Sequence, residues 1–295
     1  MPQVLLKVIE EKLPILPARV ARLLEALEHP EKYSTAQIAA LVAQCGNLEQ
    51  VVLDMLNSGF FRTRRRAQSI QDAFLLIGSD AARSVVLAMV LKGLFPQREL
   101  IPNFDRGLFL RHCIGTALAS EMLAERIGVA DESSRYRFST YGFTHDIGTL
   151  ALDYCAPITL NRVFAYAQRE KVSILNAERV ILGELTHGVV GAHVCRLWGL
   201  PKDIANVAEH HHRPAQARTD QQEVAILYVG DGVSWNYYEK LLGSRGLRYP
   251  VDPTVVAGLG LTEAHLAEVE EELPGRVEEA VRLLNVEAVD LRLLS

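Results

Sequence analysis

The dipeptide His145-Asp146, followed by Ile147-Gly148, carries the strongest chemical signal in the chain. Adjacent helical residues point about 100° apart, so two neighbours cannot line one narrow face, although both can reach a single ion from a helix end. Their surroundings are largely apolar, with Tyr141-Gly142-Phe143-Thr144 before and Leu150 and Leu152 after. An ionised aspartate in that setting needs a cation or several donors, because burying it unpaired is costly. Other candidates sit in similar places. His112 shares a helical face with Leu108, Gly115, Thr116, Ala119 and Leu123, and His187 with Gly191, Val194 and Trp198. His210, His211 and His212 cluster at a helix end closed by Pro214, and Asp231 lies between Gly230 and Gly232 at the period of a buried position. Imidazole nitrogen with carboxylate oxygen suits divalent zinc, iron, manganese or nickel, as one or two ions. Taken singly, each residue also has a plain structural reading: His112 as a hydrogen-bonded core residue, His210 to His212 as a polar helix end, Asp231 as a cap. The order His…His-Asp…His…His-His…Asp over five separate elements is what points to one site.

The elements that must position these residues read as helices. Strand alternation is hard to find, and apolar residues recur at helical spacing throughout. Ala18 to Glu28 repeats Val20, Leu23, Leu24 and Leu27 and stops at His29-Pro30. A helix capped by Ser34 or Thr35 runs to Gly46-Asn47, and a third spans Leu48 to Asn57. Ser69 caps a short helix closed by Gly78, and Ser79 or Asp80 caps the next. Phe95 to Asp105, with Pro96 and Pro102, is the clearest internal joint. Beyond it, helices are expected over about 106–127, 136–153, 158–170, 174–183, 185–198, 201–211 and 222–242. Two amphipathic helices follow within 253–291, broken near Leu273-Pro274-Gly275. The expected fold class is all-α, divided into an N-terminal helical half (1–100), a second helical half with the candidate metal site (101–243) and a C-terminal extension (244–295).

Bulk properties narrow the function. Apolar residues make up 49% of the 295, enough for a core, while the net charge of −5 gives no general attraction to nucleic acid or anionic lipid. Cys45, Cys113, Cys155 and Cys195 have no CxxC spacing and read as buried free thiols in a reducing compartment. The first residues, MPQVLLKVIEEKLP, resemble neither a signal nor a transit peptide. No stretch approaches the roughly 18 apolar residues of a membrane span. The expectation is a soluble, cytoplasmic protein with no nucleic-acid or membrane partner.

His112, His145-Asp146, His187, His211-His212 and Asp231 stand in the order of the HD superfamily of metal-dependent phosphohydrolases, and the local wording resembles one branch, the HDOD signalling domains. Glu178-Arg-Val-Ile-Leu-Gly183 leading to His187, Gly191 and Ala192 is similar to that family's Glu…Gly…His…Gly-Ala element. Trp198-Gly199-Leu200-Pro201 with His211-His212-Arg213-Pro214 is similar to its WGLP…HHxP element. Leu13-Pro14-Ile15-Leu16-Pro17, Asn57-Ser58-Gly59 and Ser69-Ile70-Gln71-Asp72-Ala73 resemble its LPxLP, NSA and SIxxA signatures, so that the likeness covers about residues 10 to 240. Cys45-Gly46-Asn47 departs from the family's usual Asp-Pro.

The resemblance implies a bacterial regulatory module of signal transduction, its N-terminal helical subdomain packed on an HD-type subdomain. It would act on a signalling protein partner or a small phosphorylated ligand, with seven metal ligands and no catalytic residue assigned. The alternative it implies is a metal-dependent phosphohydrolase of cyclic nucleotides or dinucleotides, with Asp146 bridging two ions. The related HD-GYP phosphodiesterases carry a lysine after HDIG, where this chain has Thr149, and the GYP motif is absent. Arg62-Thr63-Arg64-Arg65-Arg66 reads as a solvated loop favouring the C-terminal end of the preceding helix, or else as a site for a phosphorylated ligand or acidic surface. The C-terminal helices, with Leu259, Leu261, Leu266, Val269 and Leu273 opposite Glu268 and Glu270 to Glu272, read as a packed cap or alternatively as a homodimer face.

Overall fold

The computed structural model describes residues 2–15, 17–29, 31–57, 64–95, 101–130, 132–242 and 250–284. The first half holds α1 (Pro2–Lys12), α2 (Ala18–Glu28), α3 (Thr35–Ala43), α4 (Leu48–Asn57), α5 (Ile70–Ile77) and α6 (Ser79–Leu94). The second holds α7 (Arg106–Arg126), α8 (Glu132–Thr144), α9 (Ile147–Cys155), α10 (Pro157–Glu170), α11 (Ile174–Leu182), α12 (His187–Leu197), α13 (Lys202–His210) and α14 (Gln221–Leu242). α15 (Pro253–Gly258) and α16 (Glu263–Leu284) are the last elements among the described residues. Among the described residues the only β pairing is an isolated bridge between Ile101 and Phe104. The all-α expectation holds.

Local signals account for many of the boundaries. Ser34 accepts from the Gln37 amide while the Gln37 side chain accepts from the Ser34 amide, a reciprocal capping box at α3. Ser69 caps α5 through the Asp72 amide. Neither Ser79 nor Asp80 caps α6: the helix begins at Ser79 and its cap is Gly78, at φ +81°. Val20, Leu23, Leu24 and Leu27 of α2 are buried as expected, together with Ala26.

Three further features differ from the sequence expectation. α1 is a helix that apolar periodicity did not mark; its anchor is the single fully buried Ile9, and His193 on α12 bonds Glu10 at 2.9 Å. The expected helix 136–153 is two helices, broken at His145-Asp146, so both candidate ligands sit at a junction instead of inside one rod. α16 runs through Pro274, and the break falls at residues 259–262, where Gly260 takes φ +74°. A proline leaves the carbonyl four residues back without its donor. Here that carbonyl belongs to exposed Glu270, while Val269, Leu273, Val277 and Ala280 form a fully packed stripe that holds the helix to α7 and α14. Residues 285–291 of the expected segment lie outside the described residues, as does Pro96 in the expected joint.

A buried apolar cluster runs from Ile9 to Leu227 and draws on both halves; a second one surrounds α7, α8, α14 and α16. Close helix approaches set the second half. A Cβ on Gly148 would stand 1.9 Å from the His187 carbonyl oxygen, so α9 and α12 touch backbone to backbone. A Cβ on Gly230 would stand 2.3 Å from Ser120 Oγ, fixing α14 against α7. Gly148→Ala is therefore expected to destabilise the fold by roughly 3 kcal/mol, as overpacking against backbone does. Gly275→Ala, in a helix with open space at the Cβ, is expected to stabilise by about 0.5–1 kcal/mol. Urea unfolding of the two variants checks both signs.

Candidate metal centre

Five elements deliver the seven candidate ligands to one place. His112 comes from α7, His145 and Asp146 from the α8–α9 junction, and His187 from the first residue of α12. His211 and His212 follow the last residue of α13, and Asp231 lies in the middle of α14. Fully buried His145, His211 and Asp231 are joined by His112, Asp146 and His187, each exposed by 6% or less. His212 is slightly more open, its side chain 10% exposed. His210, part of the same sequence cluster, stays outside the group and is partly exposed.

Asp146 is the hub. Its Oδ1 lies 3.2 Å from His187 Nε2 and 3.6 Å from His211 Nε2. Its Oδ2 lies 3.6 Å from His145 Nε2 and 3.8 Å from His112 Nε2. Asp231 Oδ1 closes the second side, 3.2 Å from His112 Nε2 and 3.8 Å from His145 Nε2. His212 faces both sides: its Nε2 is 2.8 Å from His187 Nε2 and its Nδ1 3.5 Å from Asp231 Oδ2. Three overlapping trios have ligand atoms within 4.8 Å of one another: His187, His211 and His212; His112, His145 and Asp146; His145, His211 and Asp231.

The outer nitrogens decide what the inner ones can do. His145 Nδ1 lies 2.9 Å from the Gly142 carbonyl oxygen and His211 Nδ1 2.9 Å from that of Ala208, and a carbonyl only accepts. Ser234 Oγ donates to the His112 carbonyl at 2.9 Å and so accepts from His112 Nδ1–H at 3.0 Å. His187 Nδ1 lies 2.7 Å from Glu178 Oε2. All four rings thus carry hydrogen on Nδ1 and, when neutral, turn an Nε2 lone pair inward. What converges on the interior is acceptors: four lone pairs and two carboxylates. Among the described residues, His145 Nε2, Asp146 Oδ1 and both oxygens of Asp231 are buried without a hydrogen-bond partner. A divalent cation satisfies such a set, and the residues fit one.

Electrostatics follow the same geometry. Burial would raise the Asp146 carboxyl, but His145, His187 and His211 outweigh it and hold the group well below the usual carboxylate range. Burial lowers His145 to about 4 against the pull of Asp146, and burial with His211 and His187 pushes His212 well down. His187 goes the other way: burial opposes its charge, yet Glu178 and Asp146 push it up to about 9.

The profile of the HDOD domain matches residues 13–214, more than half of the chain. The chain belongs to the HDOD family. The matched span includes the first six ligands of the centre, and Asp231 lies beyond it on α14. An HDOD domain protein of unknown function from Geobacter sulfurreducens shares the fold at a TM-score of 0.68 and 21% identity, covering 95% of this chain and 98% of that one. A Shewanella amazonensis SB2B protein provisionally assigned as a phosphohydrolase matches at 0.68 and 20%, covering 95% and 97%. A Marinobacter aquaeolei VT8 protein provisionally assigned to signal transduction matches at 0.71 and 19%, covering 96% of this chain and 64% of that one. At such identities the likeness is one of fold. Among functionally curated proteins none matches the HDOD chain.

Glu178 and Ser234 are contacts of the centre that ligand spacing did not reveal, since both act through Nδ1 from other helices. The one available signal for Glu178 was its place in the Glu…Gly…His element. Asp231 is no cap; it is buried inside α14. Of the basic run, Arg62 and Thr63 lie outside the described residues, and Arg65 pairs with Asp72 in the first turn of α5, not with the helix before it. Ser58 and Gly59 also lie outside, while Asn57 brackets the Ala67 backbone with bonds of 2.7 and 2.8 Å. Among the described residues no helix is long and apolar enough to cross a membrane.

A metal ligand must give up its proton. His187, held up to about 9, carries an extra proton on Nε2 at pH 7.5 in metal-free protein, and an ion must displace it. Manganese or zinc binding at pH 7.5 is expected to release close to one proton from this ring. Apparent affinity rises with pH toward 9 and then levels. Calorimetry in buffers of different ionisation enthalpy measures the release; binding heats independent of the buffer would contradict it.

Proposed function

We propose that this HDOD chain is a regulatory module of signal transduction that acts by binding a protein partner or a small phosphorylated ligand. Its His/Asp centre holds one or two divalent ions, of iron, manganese, zinc or nickel, as a clamp. The supporting observation is closure: every ligand except His212 is buried. An ion held by His112, His145, Asp146, His187, His211, His212 and Asp231 would tie α7, the α8–α9 junction, α12, the end of α13 and α14 together. Ion binding then contributes directly to folding. Thr149, at the position where the phosphodiesterase relatives carry lysine, is itself buried at 5% exposure and presents no cation to a substrate.

One observation favours a second reading, a metal-dependent phosphohydrolase. The two oxygens of Asp146 face different imidazole pairs, so that this carboxylate and both pairs would together hold the ions. Bound ions would supply Lewis acidity at a phosphoryl oxygen. In this reading His112, His145, Asp146, His187, His211, His212 and Asp231 would hold them.

Elemental analysis of protein purified without chelator, followed by melting with and without a chelator, tests the proposal. Bound metal and a loss of roughly 5 °C or more in Tm on its removal are expected. Metal-loaded protein is expected not to turn over cyclic nucleotides or dinucleotides. Turnover that vanishes in Asp146→Ala would establish the enzyme reading instead, and a chain without metal, indifferent to chelator, would overturn both.

A further inference from the structure

The four rings with outward Nδ1 atoms are not held alike. Behind His145 and His211 stand backbone carbonyls, and behind His112 a serine hydroxyl, all neutral acceptors. Behind His187 stands a carboxylate. Glu178 belongs to α11, a helix that supplies none of the seven ligands, and its side chain is fully buried. Its Oε2 accepts twice from His187, from the backbone N–H at 3.1 Å and from Nδ1–H at 2.7 Å. Its Oε1 has no hydrogen-bond partner among the described residues, and its one ion-pair partner among them is His187. Burying a carboxylate that merely packed would be unfavourable. The expense is coherent when its negative charge acts through the imidazole on whatever the far nitrogen holds.

We infer that Glu178 is a positioning residue of the metal centre, which fixes the His187 ring with Nε2 toward Asp146 and makes that ring the strongest neutral donor of the set. The inference rests on the reading that the centre binds a divalent ion. The bond to the backbone N–H sets where α12 begins, and the bond to Nδ1 sets the ring's tautomer and rotation. One oxygen performs both tasks, so His187 cannot turn without losing its acceptor. The charge distinguishes this anchor from the other three. A glutamine in its place keeps an acceptor and the side-chain volume but removes the anion.

The test is a double-mutant cycle on metal affinity in the full chain. Zinc affinity is measured by competition with a chromogenic chelator for the wild type, Glu178→Gln, His187→Ala and the double variant. Glu178→Gln is expected to weaken zinc about 10- to 100-fold, as loss of such a partner does at other metal-bound histidines. The double variant is expected to bind no more weakly than His187→Ala alone, because Glu178 acts through that ring. Cobalt-loaded Glu178→Gln should also show an altered visible absorption spectrum, which loss of packing remote from the ion would leave unchanged. Should Glu178→Gln fail to fold, Glu178→Asp, which keeps the charge but draws it back by one methylene, takes its place in the same cycle. Wild-type affinity in the Gln or Asp variant, or losses that simply add in the double variant, would overturn the assignment alone. A wild-type chain that takes up no zinc, cobalt or manganese would overturn it together with the metal-clamp reading.

Discussion

The second half of this fold is organised around a convergence of acceptors. Four imidazoles spend their Nδ1 hydrogens on acceptors outside the cluster, so that only lone pairs and carboxylate oxygens face inward. In a low-dielectric interior such a group repels itself. Two remedies are chemically available. A proton can be added, and the His187 ring, raised to about 9, is where the field of Glu178 and Asp146 favours it. A cation can be added, and it satisfies more of the set at once than a proton can. The burial of Asp146 and Asp231 makes sense only with one of these remedies in place.

The surrounding helices are arranged to permit that convergence. Imidazoles and carboxylates are short, so their backbones must come close before the side chains can meet around one ion. Glycine supplies the approach where helices cross: Gly148 against the His187 carbonyl, Gly230 against Ser120. The break between α8 and α9 serves the same end from another direction. Consecutive residues inside a helix would point Asp146 about 100° away from His145. At the junction both reach inward, with His145 Nε2 3.6 Å from Asp146 Oδ2. The N-terminal half contributes no ligand, yet it shares the main apolar cluster with α9, α10 and α12. A change on one side of that shared core is therefore felt by the helices that carry the centre.

The ligands were legible in the sequence because their order survives the insertion of any number of apolar turns between them. The helices were legible because their buried stripes repeat at 3.6 residues, as in Val20, Leu23, Leu24 and Leu27. What escaped notice depends on contacts remote in sequence or on weak local patterns. α1 offers one fully buried residue, Ile9, too little for a period. The α8–α9 break lies within a run that is apolar on both sides, so periodicity carries straight through it. Pro274 suggested an end to α16 that packing overrode, since the stripe from Val269 to Ala280 stays buried on both sides of it. Ser234 lies 122 residues from the histidine it orients, and no spacing rule connects the two. Glu178 is nine residues from His187 but on a different helix, which disguises an intimate contact as a helical neighbour of nothing.

A complete set of ligands is weaker evidence for a reaction than it looks, and the physical reason lies in the set itself. Removing one member of a buried charged network leaves the others uncompensated, at a cost of about 3–5 kcal/mol. A protein that folds around such a network must retain every ligand whether or not it turns over a substrate. Residues needed only for turnover face no such penalty. A lysine that meets a phosphate can be replaced without leaving a buried charge behind, and position 149 holds a buried threonine. Folding alone is thus a sufficient reason to keep His112, His145, Asp146, His187, His211, His212 and Asp231, with or without a reaction. On this argument the informative positions for a reaction are those that stability does not protect.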